Sequence, residues 1–443
     1  MSISLPRRRF LQAAAAGSLF ATRLEADVPD NQAPAPPSGR IRFGMIGVGM
    51  QGSGLLRTAI DLPGVECAGA ADLWDGRHTL AKEITNNPSL PVTRRYQELL
   101  DRKDIDCIVA AVPDHWHRRV VVDACKAGKD IYCEKPMSHT IEDGFAMVEA
   151  AHANHRVVQI GSQRVSSALC AKARQLYHEG AIGDVEFVEL TMGRNDPNGA
   201  WVYPPPDATP QTLDWDTWLN DAPKIPFDPV RFARWRCWRE YGTGVGGDLM
   251  VHLLSGMLFT LGWNEPPLSA AALGGIFRFK DGRNMPDTHL VLLDYHGVPV
   301  YVRLDLCSAS PETARFYGPK GILEATGGEL RHIPQAGVDT APSYYSGGFP
   351  AKEREQYVRQ WRAEHAVPPG KEPVMETTAF QGEDWDNLRP HLWNFFQAVK
   401  TRGTVAEDAV FGNHAAIACH MANESYFRGA PVHWDHAAHN IRA

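Results

Sequence analysis

The sequence has no Cys-x-x-Cys pair, no stretch of 18 consecutive apolar residues and no surplus of basic charge. Each lack excludes something. Its eight cysteines (67, 107, 125, 133, 170, 237, 307 and 419) are scattered among apolar runs, so they read as buried thiols and not as a zinc ribbon or disulfide framework. His115-x-His117 and the His433, His436, His439 cluster bring no further ligand at a recognised spacing, so no metal is expected. Without a long apolar run, no permanent membrane span is expected. The formal net charge is −7; removing residues 1–26 takes out four arginines and one glutamate and leaves −10. Such a chain lacks the basic stripe that nucleic acid requires and favours a neutral small molecule as substrate. There are no internal repeats.

What is present begins with an N-terminal segment unlike the rest. Arg7-Arg8-Arg9-Phe10-Leu11 precedes a short, weakly apolar run to Ala21, and residues 30–39 (DNQAPAPPSG) read as a linker. Arg-Arg-x-Phe-Leu looks like a twin-arginine export signal, the route taken by proteins that fold before crossing. Residues 1–38 are therefore set apart from the fold, with cleavage near Ala21 or Ala26 and a periplasmic destination. A protein that folds before export carries its cofactor with it, so tight cofactor binding is expected.

From Ile41 the pattern changes. Ile41–Ile46 is a short apolar run of the buried parallel-strand type. It leads into Gly47-Val48-Gly49-Met50-Gln51-Gly52, after which Leu55, Leu56, Ala59 and Ile60 recur at helical spacing. Glycine at 47 permits a tight turn, Gly49 allows close approach of a pyrophosphate, and Gly52 allows helix and strand to pack. The helix N-terminus offers N–H groups and positive potential to phosphates. A second strand, 65–71, ends at Asp72, placed to accept the ribose hydroxyls and to repel a 2′-phosphate. We read NAD over NADP, with Arg77 the residue that argues the other way. Strands at 106–113, closed by Pro113, and 129–133 alternate with helical segments, which implies a doubly wound parallel sheet with ligands at the strand carboxyl ends.

Four elements together resemble the Gfo/Idh/MocA oxidoreductases, relatives of glucose–fructose oxidoreductase and inositol dehydrogenase. They are the glycine fingerprint, Val112-Pro113-Asp114-His115-Trp116-His117, Cys133-Glu134-Lys135-Pro136, and Gly246-Gly247-Asp248-Leu249-Met250-Val251-His252. Asp214-Trp215-Asp216-Thr217-Trp218-Leu219 and the Arg/Trp-rich run before Gly242 look like the exported, sugar-active branch. The resemblance implies a Rossmann domain over 39–160 and an α+β domain over 161–443 with an open, largely antiparallel sheet, closed by helices within 385–428. It implies a homo-oligomer, dimer or tetramer, through that sheet, and a cis Lys135–Pro136 bond. It places Lys135, Asp248 and His252 at the reacting carbon, and His117 near the nicotinamide ribose. The cofactor set it implies is Gly47, Gly49, Met50, Gln51, Gly52, Asp72, Pro113, His117, Glu134, Lys135 and Gln163.

The residue types fit alcohol oxidation, which needs a base within reach of the hydroxyl and a donor for its oxygen. Lys135 on a stiff turn suits that task. Asp248 and His252, spaced i, i+4, would share one face if 248–260 is a single helix, the carboxylate then fixing the imidazole tautomer. Asp248 as a simple helix cap is the competing reading. Arg164, Trp235, Arg236 and Tyr241 are the substrate candidates, since aromatic faces and guanidinium groups suit a sugar ring and its hydroxyls. Three functions follow: a NAD-dependent dehydrogenase of a sugar or cyclic polyol, a redox-neutral glycoside-cleaving enzyme that oxidises, eliminates, hydrates and re-reduces, or a non-catalytic binding protein.

Overall fold

The computed structural model describes residues 39–196, 208–335, 346–366, 376–382 and 388–442. The export-like segment and the aromatic and proline cluster at 201–206 lie outside them.

The first unit begins with β1 (Ile41–Ile46), α1 (Met50–Ile60), β2 (Val65–Ala71) and α2 (Asp75–Ile84). After the short β3 (Val92–Thr93) come β4 (Cys107–Ala110), α3 (Asp114–Lys126), β5 (Asp130–Glu134), α4 (Ile141–Ala153) and β6 (Val158–Gly161). The six strands form one parallel sheet in the order β3-β2-β1-β4-β5-β6. β4 and β5 are fully buried, as expected of strands covered by helices on both faces. The order reverses between β1 and β4, which opens a crevice at their carboxyl ends.

The second unit is a ten-stranded sheet flanked by helices α5 (Ala168–His178) and α6 (Met250–Leu261). At its centre β7 (Phe187–Gly193) runs parallel to β10 (Val298–Asp305), and every other pairing is antiparallel. β9 (Thr288–Tyr295) alternates buried and outward positions. The buried set meets α6, while Leu290 and Leu292, with Leu273 of β8 (Ser269–Gly275), face outward. Among the described residues, the helical stretch Gly244–Leu261 is long and apolar enough to cross a membrane, and 89% of it is buried inside the protein. The polar insertion after residue 331 contains an outlying helix, α7 (Ala351–Glu364).

The closing helices also reach the first unit, although most of the buried face of the last of them packs in the second unit's core. Phe395, Phe396, Leu392 and Val399 of α8 (Leu388–Thr401) join Phe43 and Met45 in the core beneath β1, with Phe43 and Phe396 rings 5.7 Å apart. Ala409 and Ala416 of α9 (Ala409–Arg428) join the core on the other face, and Gln159 of β6 donates to the His391 carbonyl at 2.8 Å. The apolar stripe of α8 covers sheet surface that would otherwise face water.

Several histidines are deeply buried. Burial pushes the pKa of His115, His289 and His391 down to about 4 and that of His420 down to about 3. The unfolded chain takes up these protons near pH 6.5, before the folded protein does. Their contribution to stability is therefore complete above pH 6.5 and declines as pH falls toward 4, by about 1.4 kcal/mol per pH unit for each histidine. Urea midpoints measured at pH 7, 6 and 5 will drop progressively; a flat profile would contradict burial of these rings in the neutral state.

Candidate active site

Local sequence builds the cofactor side of the crevice. Gly47 has φ +83°, and an added Cβ there would lie 2.3 Å from the Ala111 carbonyl oxygen. At Gly52 it would lie 2.1 Å from the Gly47 carbonyl oxygen, so this glycine acts by packing and does not line the crevice. At Gly49 an added Cβ meets nothing within 4 Å. Gly49 caps α1 without a side-chain hydrogen bond, and no acidic residue sits in the first turn. The first N–H groups of α1 thus open on free space, the cradle a diphosphate requires. Asp72 accepts from Val48 N at 2.8 Å and Trp74 N at 3.0 Å, which ties the glycine turn to the end of β2. Each of its oxygens retains a further lone pair for a ribose hydroxyl. Burial raises the Asp72 pKa against the opposing pull of those two N–H groups. These features fit a dinucleotide.

The crevice continues as a cleft of about 780 Å³ lined by both units. Gly47, Gly49, Met50, Gln51, Asp72, Pro113, Glu134, Lys135 and Gln163 of the expected cofactor set reach it. So do Asp248, His252, Trp235 and Arg236 from the second unit. Glu134, buried at the end of β5, accepts from Gln51 Nε2 at 3.0 Å and Gln163 Nε2 at 2.8 Å. The Lys135–Pro136 bond is cis. Lys135 Nζ crosses to the second unit, donating to Asp248 Oδ1 at 2.8 Å and to the Asp248 carbonyl at 2.9 Å. Arg236 Nε donates to the same Oδ1 at 2.9 Å while its guanidinium lies 4.1 Å over the Trp235 ring. Burial alone would raise the Asp248 pKa, but Lys135 and Arg236 outweigh it and hold the carboxyl well below the usual range. Burial, then the charges of Lys135 and Arg164, keep His252 neutral by pushing its pKa well below 6.5.

Four expectations need correction. Asp248 and His252 do not share one helix: Asp248 ends the short helix Gly244–Asp248, Leu249 intervenes, and α6 begins at Met250. The carboxylate is engaged by Lys135 and Arg236 and serves them as a shared counter-ion. His117 does not line the cleft. It is buried with its ring nitrogens at 2.8 Å from the Pro136 carbonyl and 2.9 Å from the Val112 carbonyl, where it braces the turn that carries Lys135. Arg164 turns away to pair with Glu312, and Tyr241 is buried against Trp218 and His115. Both were drawn inward by partners distant in sequence.

The sequence also concealed contributors. The segment around Leu213 forms a single bridge to Trp74, and Asp214 N donates to the Leu73 carbonyl at 3.0 Å, so the second unit closes over the end of β2. Arg194, the first residue after β7, also lines the cleft, and its charge acts on His252. A tertiary contact after a strand end leaves no local pattern. Among the described residues no cluster of three or more potential metal ligands occurs.

Residues 41–162 match the model of the oxidoreductase family with an NAD-binding Rossmann fold, Gfo/Idh/MocA, the family that the sequence motifs resemble. It is 30% identical over 177 residues to inositol 2-dehydrogenase of Salmonella paratyphi B, across 39% of this chain and 51% of that one. It is 29% identical over 172 residues to glycosyl hydrolase family 109 protein 1 of Shewanella sp. strain MR-4, across 33% of this chain and 37% of that one. The chain therefore spans about half, or less, of the length of the curated relatives it matches. Levoglucosan dehydrogenase, solved with NADH and levoglucosan, shares the fold at TM-score 0.63 and 18% identity, over 89% of this chain and 99% of that one. The WlbA dehydrogenase of Chromobacterium violaceum, solved with NADH and UDP-GlcNAcA, does so at TM-score 0.66 and 15% identity, over 91% and 99%.

The glycines separate folding from binding. Gly49→Ala will leave thermal stability unchanged yet weaken NAD binding at least about tenfold, because the new methyl group enters only the space meant for the diphosphate. Gly52→Ala will lower the melting temperature, because its methyl group meets backbone. Differential scanning fluorimetry with and without NAD reads both; equal melting loss in the two variants would overturn this division.

Proposed function

We propose that the chain is a NAD-dependent oxidoreductase acting on a sugar or cyclic polyol. The observation that carries this reading is the convergence of Lys135, Asp248 and His252 on the cleft that also opens on the glycine turn. When bound, NAD supplies the acceptor for the hydrogen and electron pair that leave the carbinol carbon. The chain handles what remains. His252, which lines the cleft beside Lys135 and Asp248, takes the hydroxyl proton. Lys135, ion-paired with Asp248, donates a hydrogen bond to the substrate oxygen as charge builds there. Asp248 prevents Lys135 and Arg236 from facing each other uncompensated. Trp235, stacked under Arg236, offers an aromatic face to a sugar ring.

A second reading is redox-neutral glycoside cleavage, in which the same cofactor takes the hydrogen and returns it. The similarity to glycosyl hydrolase family 109 protein 1 and to the alpha-N-acetylgalactosaminidase of Shewanella oneidensis, 28% identical over 173 residues, favours it. Retention of Lys135, Asp248 and His252 together speaks against a purely binding role.

Protein purified without added cofactor should carry NAD and build up NADH with a free sugar or polyol. Lys135→Met will retain NAD and lose turnover by about a hundredfold or more. An active variant would remove Lys135 from the mechanism, and release of p-nitrophenol from a glycoside without net NADH would replace the first reading with the second.

We also propose that the protein is exported with its cofactor and assembles through the outer face of its ten-stranded sheet, where Leu273, Leu290 and Leu292 are exposed. Cell fractionation and light scattering test this: the mature protein is expected in the periplasm as a dimer or tetramer, Arg7→Lys with Arg8→Lys retained inside, and Leu292→Arg monomeric. A monomeric native protein, or one unaffected by the arginine changes, would count against the respective half.

A further inference from the structure

The charge of the cleft is opposite to that of the chain. Seven basic side chains line it against four carboxylates, although the sequence as a whole carries −7. Part of this excess faces the dinucleotide end, where Asp72 lies. The catalytic end has its own. There Lys135 and Arg236 both spend their charge on Asp248, one carboxylate between two cations. Glu134 is the other acid nearby, and it is turned toward Gln51 and Gln163. Arg164 is already neutralised by Glu312.

Arg194 is different. Its backbone is fixed: β7 and β10 pair at Gly193 and Asp305, and Arg194 N donates to the Asp305 carbonyl at 2.7 Å. Its side chain is exposed, borders the cleft and has no hydrogen-bond or ion-pair partner among the described residues. Other cleft arginines have theirs, Arg94 with Asp75 and Arg119 with Asn220. A guanidinium at the rim of a site, its base anchored and its donors without a partner among the described residues, is suited to a planar anion such as carboxylate.

Resting on the sugar-oxidising reading above, the geometry points to a substrate that is an acidic sugar, a hexuronic acid or its glycoside, with its carboxylate on Arg194. This narrows the substrate class and reverses the expectation of a neutral substrate drawn from net charge. The acidic surface elsewhere is no obstacle, because over the short range of a screened solution the local charges of the cleft act on the ligand more strongly than the distant ones.

The test is binding by the NAD-loaded protein, followed by calorimetry, which does not depend on turnover. Pairs of hexoses and hexuronic acids of gluco, galacto and manno configuration differ only at C6, and each 6-phosphate serves as a third probe. At least one hexuronate is expected to bind about tenfold more tightly than its hexose, the advantage shrinking with added salt. Arg194→Gln is expected to abolish that advantage while bound NAD and melting temperature stay as in the native protein. Equal binding of hexose and hexuronate, an advantage that survives in Arg194→Gln, a preference for the 6-phosphates, or binding of none of the panel would each overturn the assignment. A hexuronate that binds through Arg194 and is not oxidised would leave this inference standing and remove the oxidoreductase reading.

Discussion

One carboxylate holds the site together. Asp248 sits in the second unit, nearly out of reach of water, and takes Lys135 from the first unit and Arg236 from its own. Removing two cations and one anion from solvent is costly, and such a cluster persists only where the partners satisfy one another closely. Here the short contacts also fix geometry. Because Lys135 bonds both the side chain and the carbonyl of Asp248, the turn after β5 and the short helix Gly244–Asp248 keep a single relative position. A second tie runs parallel to it, where buried Asp114 accepts from both the backbone and the hydroxyl of Thr243, just ahead of the Gly244–Asp248 helix. The two units meet through polar groups of defined direction, and the imidazole of His252 inherits its placement from them.

How much of this was legible follows from the range of the interactions. The glycine turn, Asp72 and the alternation of strand and helix are local, each written within about 30 residues, and the parallel sheet and its crevice followed from them. The Glu134-Lys135-Pro136 turn and the Gly246–His252 run were recognisable as motifs, but their mutual contact was only implied by resemblance. His117 is claimed locally, by the Val112 and Pro136 carbonyls. Arg164 and Tyr241 were misplaced for one reason: a polar or aromatic residue near a site motif reads as a ligand contact until a distant partner claims it. Glu312, 148 positions from Arg164, is such a partner. Arg194 was missed for the converse reason, since it belongs to no motif and matters through position alone. The span 248–260 read as one helix because its apolar period runs on unbroken through the interruption at Leu249.

The comparisons set the same scaffold beside proteins of different chemistry. At 15% to 18% identity the likeness to these two solved structures is one of overall fold. In this chain the wall contributed by the second unit carries Trp235, Arg236 and Arg194. This is the expected division of labour for a fold whose cofactor end is built from backbone and whose substrate end is built from side chains.

The last feature to consider is the pair of terminal helices. Phe395 and Phe396 lie under the first strand, 350 residues away along the chain. The nucleotide-binding half is therefore not a module that a ribosome can release finished. Until α8 has been synthesised, that side of its sheet is covered only by α1 and α2, and Phe43 lacks the packing of Phe396. Complete burial of the strand that leads into the glycine turn therefore waits for α8.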